Sequence, residues 1–197
     1  MAELLVDFIT SLDGYGAAEG WPGWWGMEGP EYFAWLDQLP DRDHTTLMGA
    51  TTYRLMSGFA SGAIETGQGE DDAMAELTAA TKVVFSTTLE EPQWANTRLV
   101  RTDAVAEVRA MKEAGTSMRT LGSVSLCRSL LTAGLVDRFR VVVFPVVTGA
   151  TGSDRIYDGW PDVALEMVGS RVLDGRLQVL EYVPTVLEGP PGAATEG

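Results

Sequence analysis

The sequence predicts an α/β domain: a mostly parallel mixed sheet flanked by helices and ended by an antiparallel hairpin. Three observations predict it. Short apolar runs alternate with segments whose apolar residues recur at helical spacing, the pattern of strands joined by crossover helices. Turn-forming residues follow these runs directly, at Asp13-Gly14, Gly49, Ser86-Thr87, Gly122-Ser123 and Thr148 to Gly152. The last two apolar runs are separated by Leu173-Asp-Gly-Arg, and Asp174-Gly175 is a strong hairpin turn.

The chain has 197 residues, enough for one domain with a sizeable core. Residues 1–185 are expected to form that domain, and the Pro/Gly/Ala-rich tail 186–197 is expected to be disordered. There are 28 acidic and 14 basic side chains, a formal charge of −14. That balance argues against nucleic acid and anionic membranes as partners, since both require a basic patch. An anionic cofactor must then bind locally, against the field of the whole molecule. No apolar run approaches the length of a membrane span. The chain enters a strand at once without a basic leader, so no signal peptide is expected. Cys127 is the one cysteine, which suits a reducing cytoplasm, and its place on an apolar helix stripe favours a core role. His44 is the one histidine and leads into a strand. Neither a Ser-His-Asp triad nor a transition-metal site is expected.

Glu3 to Ser11 reads as a first strand with the near-continuous apolar run of one buried on both faces. Tyr15 to Gly29 is glycine-rich and holds Trp21, Trp24 and Trp25. Two accounts of it stand: a mobile lid with aromatic contacts, or a loop whose tryptophans pack over the core or a partner subunit. Pro30 to Leu39 reads as a short helix with Phe33, Leu36 and Leu39 near one face, and Pro30 suits its first turn. His44 to Gly49 is a second strand. Ala50 to Phe59 is a helix with Thr51 as a possible cap and Tyr53, Met56 and Phe59 inward. Ser61 to Asp72 reads as an exposed loop, and Ala73 to Ala80 as one or two helical turns. Strands follow at Lys82 to Ser86 and Arg98 to Arg101. A helix spans Asp103 to Ala114, with Val105, Val108 and Met111 inward, and Gly115 ends it. Thr116 to Leu121 and Arg138 to Phe144 are further strands, Val146 to Ser153 is a second glycine-bearing loop, and Val163 to Val172 pairs with Arg176 to Val183.

The stretch Thr120 to Leu131 joins a strand to a helix whose apolar stripe is Val124, Cys127, Leu130 and Leu131. Gly122 permits a sharp turn and close approach of a ligand, and Ser123 is a plausible N-cap. A helix start behind a glycine turn is a phosphate site or simply a tight βα connection. Ligands of such sheets sit beyond the C-terminal ends of the strands, where all five turns fall.

The order of these pieces resembles the dihydrofolate reductase-like family, in the branch similar to the C-terminal reductase domain of the bifunctional riboflavin-biosynthesis deaminase/reductase. The pieces are Ser11-Leu-Asp-Gly14, Met48-Gly49 with Thr52-Tyr53, Val84-Phe85-Ser86, Leu121-Gly122-Ser123, Gly134-Leu135-Val136-Asp137, and Pro145-Val146 with Gly149 and Gly152. They span Leu4 to Tyr182. The resemblance implies a three-layer fold, a homodimer, and hydride transfer from NADPH to a C=N or C=O bond of a small heterocycle of the pterin or ribosylaminopyrimidine type. It implies that Gly49, Thr51, Thr52, Ser86 and Thr87 line the adenosine side. Leu121, Gly122, Ser123 and Val124 would receive the pyrophosphate. Asp13 and the Trp-rich segment would border nicotinamide and substrate.

Two positions depart from the family pattern. Ala50 and Thr87 stand where basic residues usually answer the extra phosphate of NADPH, so NADH is a second cofactor expectation. Each lost charge-assisted hydrogen bond is worth ~1.5–3 kcal/mol. Lys82, Arg98, Arg101 and Arg155 are the side chains that could replace the charge. Asp13 is the candidate catalytic residue, as proton source or as a turn-stabilising carboxylate. Trp21, Trp24 and Trp25 are candidates to stack on a flat substrate ring. A non-catalytic binding module on the same fold and a flavin- or deazaflavin-dependent reductase are the alternatives.

Overall fold

A computed structural model describes residues 2–20, 25–62 and 70–192. In chain order the elements are β1 (Leu4–Ser11), β2 (Tyr15–Ala18), α1 (Pro30–Asp37), β3 (Thr45–Gly49), α2 (Ala50–Ala60), α3 (Glu70–Ala79), β4 (Lys82–Phe85), β5 (Thr97–Val100), α4 (Ala104–Glu113), β6 (Met118–Thr120), α5 (Val124–Thr132), β7 (Arg138–Phe144), β8 (Gly152–Arg155), β9 (Val163–Leu173) and β10 (Leu177–Val186).

Eight strands form one sheet in the order β5-β4-β3-β6-β1-β7-β10-β9. The first six run parallel; β10 is antiparallel to β7 and β9 to β10. This is the expected mixed sheet with its terminal hairpin. Helices cover both faces, which gives three layers. Neighbours in β3 show the division: Leu47 packs in the cluster that holds α4 and α5, and Met48 in the one that holds α2 and α3. Helix α1 lies over β7 and β10 through Tyr32 and Trp35 against Phe144 and Val179.

Beneath α1, Arg140 is 2% exposed. Its guanidinium donates to both carboxylate oxygens of Asp7, at 3.1 and 2.7 Å, and to those of Asp41, at 2.9 and 3.0 Å. It also lies 5.3 Å from the Trp35 ring centre. The chain after α1 is thereby pinned to the sheet. Removing one partner of such a buried set costs ~3–5 kcal/mol.

Several local expectations are corrected. The stretch after Gly14 is not all loop, because Tyr15 to Ala18 form β2 and pair antiparallel with β8. Four residues reading Tyr-Gly-Ala-Ala carry no strand alternation, and the partner lies more than 130 positions away. Gly152 of β8 has to be glycine, since a Cβ there would sit 2.6 Å from the Tyr15 ring. In α1 the buried residues are Tyr32 and Trp35, with Leu39 beyond its end, while Phe33 and Leu36 are half-buried. The aromatic pair outcompetes the predicted stripe one position along. Helix α3 begins at Glu70, inside the predicted loop, and residues 63–69 of that loop lie outside the described residues. In α5 Leu126 is buried where Val124 is only half-buried. Neither Thr51 nor Ser123 caps a helix through its side chain: the residue before α2 is Gly49, and Ser123 is left-handed at φ 69°. Trp21, Trp24 and residues 193–197 of the tail also lie outside the described residues.

Candidate active site

β3 and β6 are neighbours, so the turns that leave them lie side by side. β3 runs straight into α2. After β6, Gly122 and Ser123 are both left-handed, at φ 53° and 69°. That conformation costs a non-glycine residue ~1–2 kcal/mol. Ser123 Oγ accepts the Gly49 N–H at 2.8 Å, shares a bond of 2.9 Å with Thr52 Oγ1, and donates to the Leu121 carbonyl at 3.2 Å. The serine thus clasps the two turns together.

Because its hydroxyl is committed there, α5 starts without a side-chain cap, and so does α2 behind Gly49. Two other helices are treated differently. Asp103 Oδ1 accepts the Val105 and Ala106 N–H groups at the start of α4. Asp174, on the β9–β10 turn, accepts those of Glu31 and Tyr32 at the start of α1. Of the four helix starts whose caps are described, the two without a side-chain cap are the two that converge. Each presents unpaired N–H groups and a positive dipole end, which together suit a diphosphate. Thr52, Leu121, Gly122 and Val124 border this place half-buried, and Thr51 is exposed beside it. Cys127, one turn into α5, donates from Sγ to the Gly122 carbonyl at 3.1 Å, and burial pushes its thiol up to about 12. It is a core residue, as its place on the stripe predicted.

A second cluster lies where β1 and β7 end. Ser11 Oγ donates to Asp13 Oδ1 at 2.7 Å and accepts the Tyr15 N–H at 3.0 Å. The Thr148 N–H donates to the same Asp13 oxygen at 3.1 Å, and the Leu12 N–H to the Val146 carbonyl at 2.8 Å. The Ser11 bond holds the Asp13 carboxyl below the usual carboxylate range, against the opposing effect of desolvation; the Thr148 amide and the Arg155 charge add to it. Asp13 is ionised at neutral pH and ties the two strand ends together. Leu12 is 66% and Val147 70% exposed at these ends. Sequence reasoning did not single them out, because each reads as a continuation of its apolar strand. Trp25 packs against the cluster that holds Tyr32 and Trp35, its indole Nε1 buried without a partner among the described residues. That contact is the one the core-packing account expects of Trp25, while Trp21 and Trp24 lie outside the described residues.

Where β4 ends, Ser86 Oγ accepts the N–H groups of Thr88 and Leu89, at 3.2 and 3.0 Å, which leaves Thr87 and Thr88 exposed. The four basic side chains are now placed. Lys82 is fully buried at the start of β4 and donates to the Leu77, Thr78 and Ala80 carbonyls at the end of α3, and burial brings its pKa down to about 8. Arg98 pairs with Glu107 at 2.8 Å. Arg155 lies over the Tyr15 ring at 5.9 Å, on β8. Arg101 directly follows β5, exposed, and donates from Nη1 to the Thr87 carbonyl at 3.4 Å.

Among the described residues no helix is long and apolar enough to cross a membrane. A search of curated protein sequences finds no match. Solved structures are similar in fold. A Shewanella sp. PV-4 protein assigned provisionally to riboflavin biosynthesis superposes with a TM-score of 0.68 at 18% identity, over 94% of this chain and 99% of that one. The Thermotoga maritima diaminohydroxyphosphoribosylaminopyrimidine deaminase/5-amino-6-(5-phosphoribosylamino)uracil reductase gives 0.64 at 15% identity, over 93% of this chain and 57% of its own. An Enterococcus faecalis dihydrofolate reductase in complex with NADP(H) gives 0.57 at 13%, over 93% and 96%. The RibD C-terminal domain model matches residues 2–179, nearly the entire folded length, and the chain belongs to that family.

Proposed function

We propose that the chain is a reductase that transfers hydride from a nicotinamide dinucleotide, NADPH first and NADH second, to a C=N or C=O bond of a small pterin- or ribosylaminopyrimidine-type heterocycle. One observation carries the reading: the uncapped starts of α2 and α5 meet at the Ser123 clasp. Membership of the RibD C-terminal domain family supports it, as does the likeness in fold to reductases. The setting is the cytoplasm, and the assembly is a homodimer.

The bound dinucleotide supplies the hydride. The chain's own groups hold and orient it. First-turn amides of α2 and α5 receive the diphosphate, and Gly122 lets the backbone come close. Toward β1 and β7, exposed Leu12 and Val147 offer apolar surface to the reacting rings. Asp13 acts as an ionised positioning group for the two turns. With its carboxyl lowered rather than raised, ordered water rather than Asp13 delivers the proton.

The test is a tryptophan-fluorescence titration with NADPH and NADH, followed by cofactor oxidation with dihydrofolate and with the uracil substrate named for the Thermotoga enzyme. Saturable binding and oxidation with one of the two substrates are expected. Absence of binding by either cofactor would remove the reading.

A further inference from the structure

We propose that Arg101 is the residue by which this chain recognises the 2′-phosphate of NADPH, in place of the basic side chains absent at Ala50 and Thr87. The inference rests on the nicotinamide-reductase reading and deepens it. The sheet order sets the direction of a bound dinucleotide. The diphosphate place lies over β3 and β6, and the Asp13 cluster lies to one side of it, over β1 and β7. The other half of an extended dinucleotide must then run the opposite way, toward the ends of β4 and β5. From β1 to β5 there are four strand spacings, about 19 Å at ~4.8 Å each.

At that far end the hydroxyl residues Thr87 and Thr88 are exposed, but they carry no charge. Arg101 supplies one. It is the first residue after β5, its side chain is exposed, and its guanidinium reaches across to the Thr87 carbonyl at 3.4 Å. The neighbouring strands hold these loops together, since the Ser86 N–H donates to the Val100 carbonyl at 3.0 Å. Asp103, the acidic residue nearest in sequence, is engaged in capping α4 and so does not neutralise the arginine by pairing. The other three basic groups are excluded by position or by pairing. Lys82 is buried at the opposite end of β4, Arg98 is paired with Glu107, and Arg155 sits on β8 by Tyr15. An arginine at this place has the fork of donors that matches a phosphate, and its one weak carbonyl bond is easily exchanged for a charged acceptor.

The experiment measures Kd for NADPH and NADH by tryptophan fluorescence in the full chain and in Arg101→Ala and Arg101→Lys, with melting curves to confirm that each variant is folded. The wild type is expected to prefer NADPH. Arg101→Ala should weaken NADPH roughly tenfold to a hundredfold and leave NADH within about twofold. Arg101→Lys should keep part of the preference, since a point charge remains without the fork. An Arg101→Ala protein that still prefers NADPH overturns the assignment. A wild type that binds NADH as well as NADPH also overturns it, while the reductase reading stands. A wild type that binds neither dinucleotide overturns both.

Discussion

Asp13 shows how one side chain's surroundings decide its chemistry. A general acid at neutral pH needs a carboxyl raised by burial or by a like charge, and at Asp13 the raising effect of desolvation is outweighed by its hydrogen bonds. It accepts from Ser11 Oγ and from the Thr148 N–H, and its pKa is lowered in consequence. The sign of its linkage to folding follows. Its folded pKa lies below the unfolded value of ~3.9. Its stabilising effect is therefore complete above that value and is lost as pH falls through the folded pKa. Asp13→Asn keeps an acceptor for both donors but cannot titrate. Denaturant midpoints taken from pH 6 down to pH 2 (the experimental range) should fall less steeply for Asp13→Asn than for wild type. An acid limb unchanged by the substitution would show that Asp13 is not tied to its partners in solution. In the reductase reading the same variant should leave the pH–rate profile around neutrality without a new limb, because water carries the proton.

Among the elements, the helix starts separate structural work from binding. Helix α1 is capped from far along the chain: Asp174 accepts the Glu31 and Tyr32 N–H groups at 3.0 and 3.1 Å, and Glu31 Oε2 accepts the Asp174 N–H at 2.5 Å. Asp174 itself is left-handed at φ 51°. Asp174→Ala should cost about 1–3 kcal/mol, the cap of ~0.5–2 plus the strain of alanine in that conformation. Asp174→Asn should cost less, because asparagine tolerates the left-handed region and keeps an acceptor. Gly29→Ala would put a Cβ into the Asp174 carboxylate, so it breaks the same cap. Chemical denaturation of both single variants and the double should then show costs well short of additive, and full additivity would refute a shared cap. The parallel strands, the closing hairpin and the glycine turns were legible in the sequence because each is local: apolar runs, Asp174-Gly175, and glycine directly after a strand. The β2–β8 pair and this distant cap were not, since their partners lie more than 130 positions apart and the residues carry no periodicity. The geometry of the candidate site was half legible. Gly49, Thr52, Gly122 and Ser123 do come together, but the serine does so by a left-handed turn that makes it a clasp instead of a cap. Which arginine stands beyond the ends of β4 and β5 depends on strand order, and strand order is a property of the sheet and not of any local stretch.

The whole molecule carries a formal charge of −14, yet one face of its terminal hairpin bears no charged side chain. In the β9–β10 hairpin the cross-strand pairs Val163–Val186, Leu165–Pro184, Met167–Tyr182, Ser170–Leu180 and Val172–Gln178 share a face, and none has a charged side chain. Glu166, Arg171 and Glu181 fall in the pairs of the other face. Part of the neutral face is covered, since Tyr182 stacks on Phe139 and Val163 and Leu180 pack against the core of that layer. The rest is open: Met167 is 56% and Val172 60% exposed, with Leu165 at 39% and Val186 at 37%. A continuous apolar surface on a strand at the sheet edge marks a surface for a partner. A second copy fits it best. Two strongly acidic molecules repel over most of their surfaces, and each offers the other one neutral apolar face where that repulsion is smallest and area can be buried. The homodimer reading predicts that the subunits meet through β9 and β10. Sedimentation at micromolar concentrations should give about twice the chain mass of 21.2 kDa. Added salt should tighten the association by screening the acidic surfaces. Met167→Glu together with Val172→Glu should release monomers whose melting temperature is reduced only by the loss of the partner. A wild type that sediments as a monomer, or a dimer indifferent to both glutamates, would place the subunit contact elsewhere or abolish it.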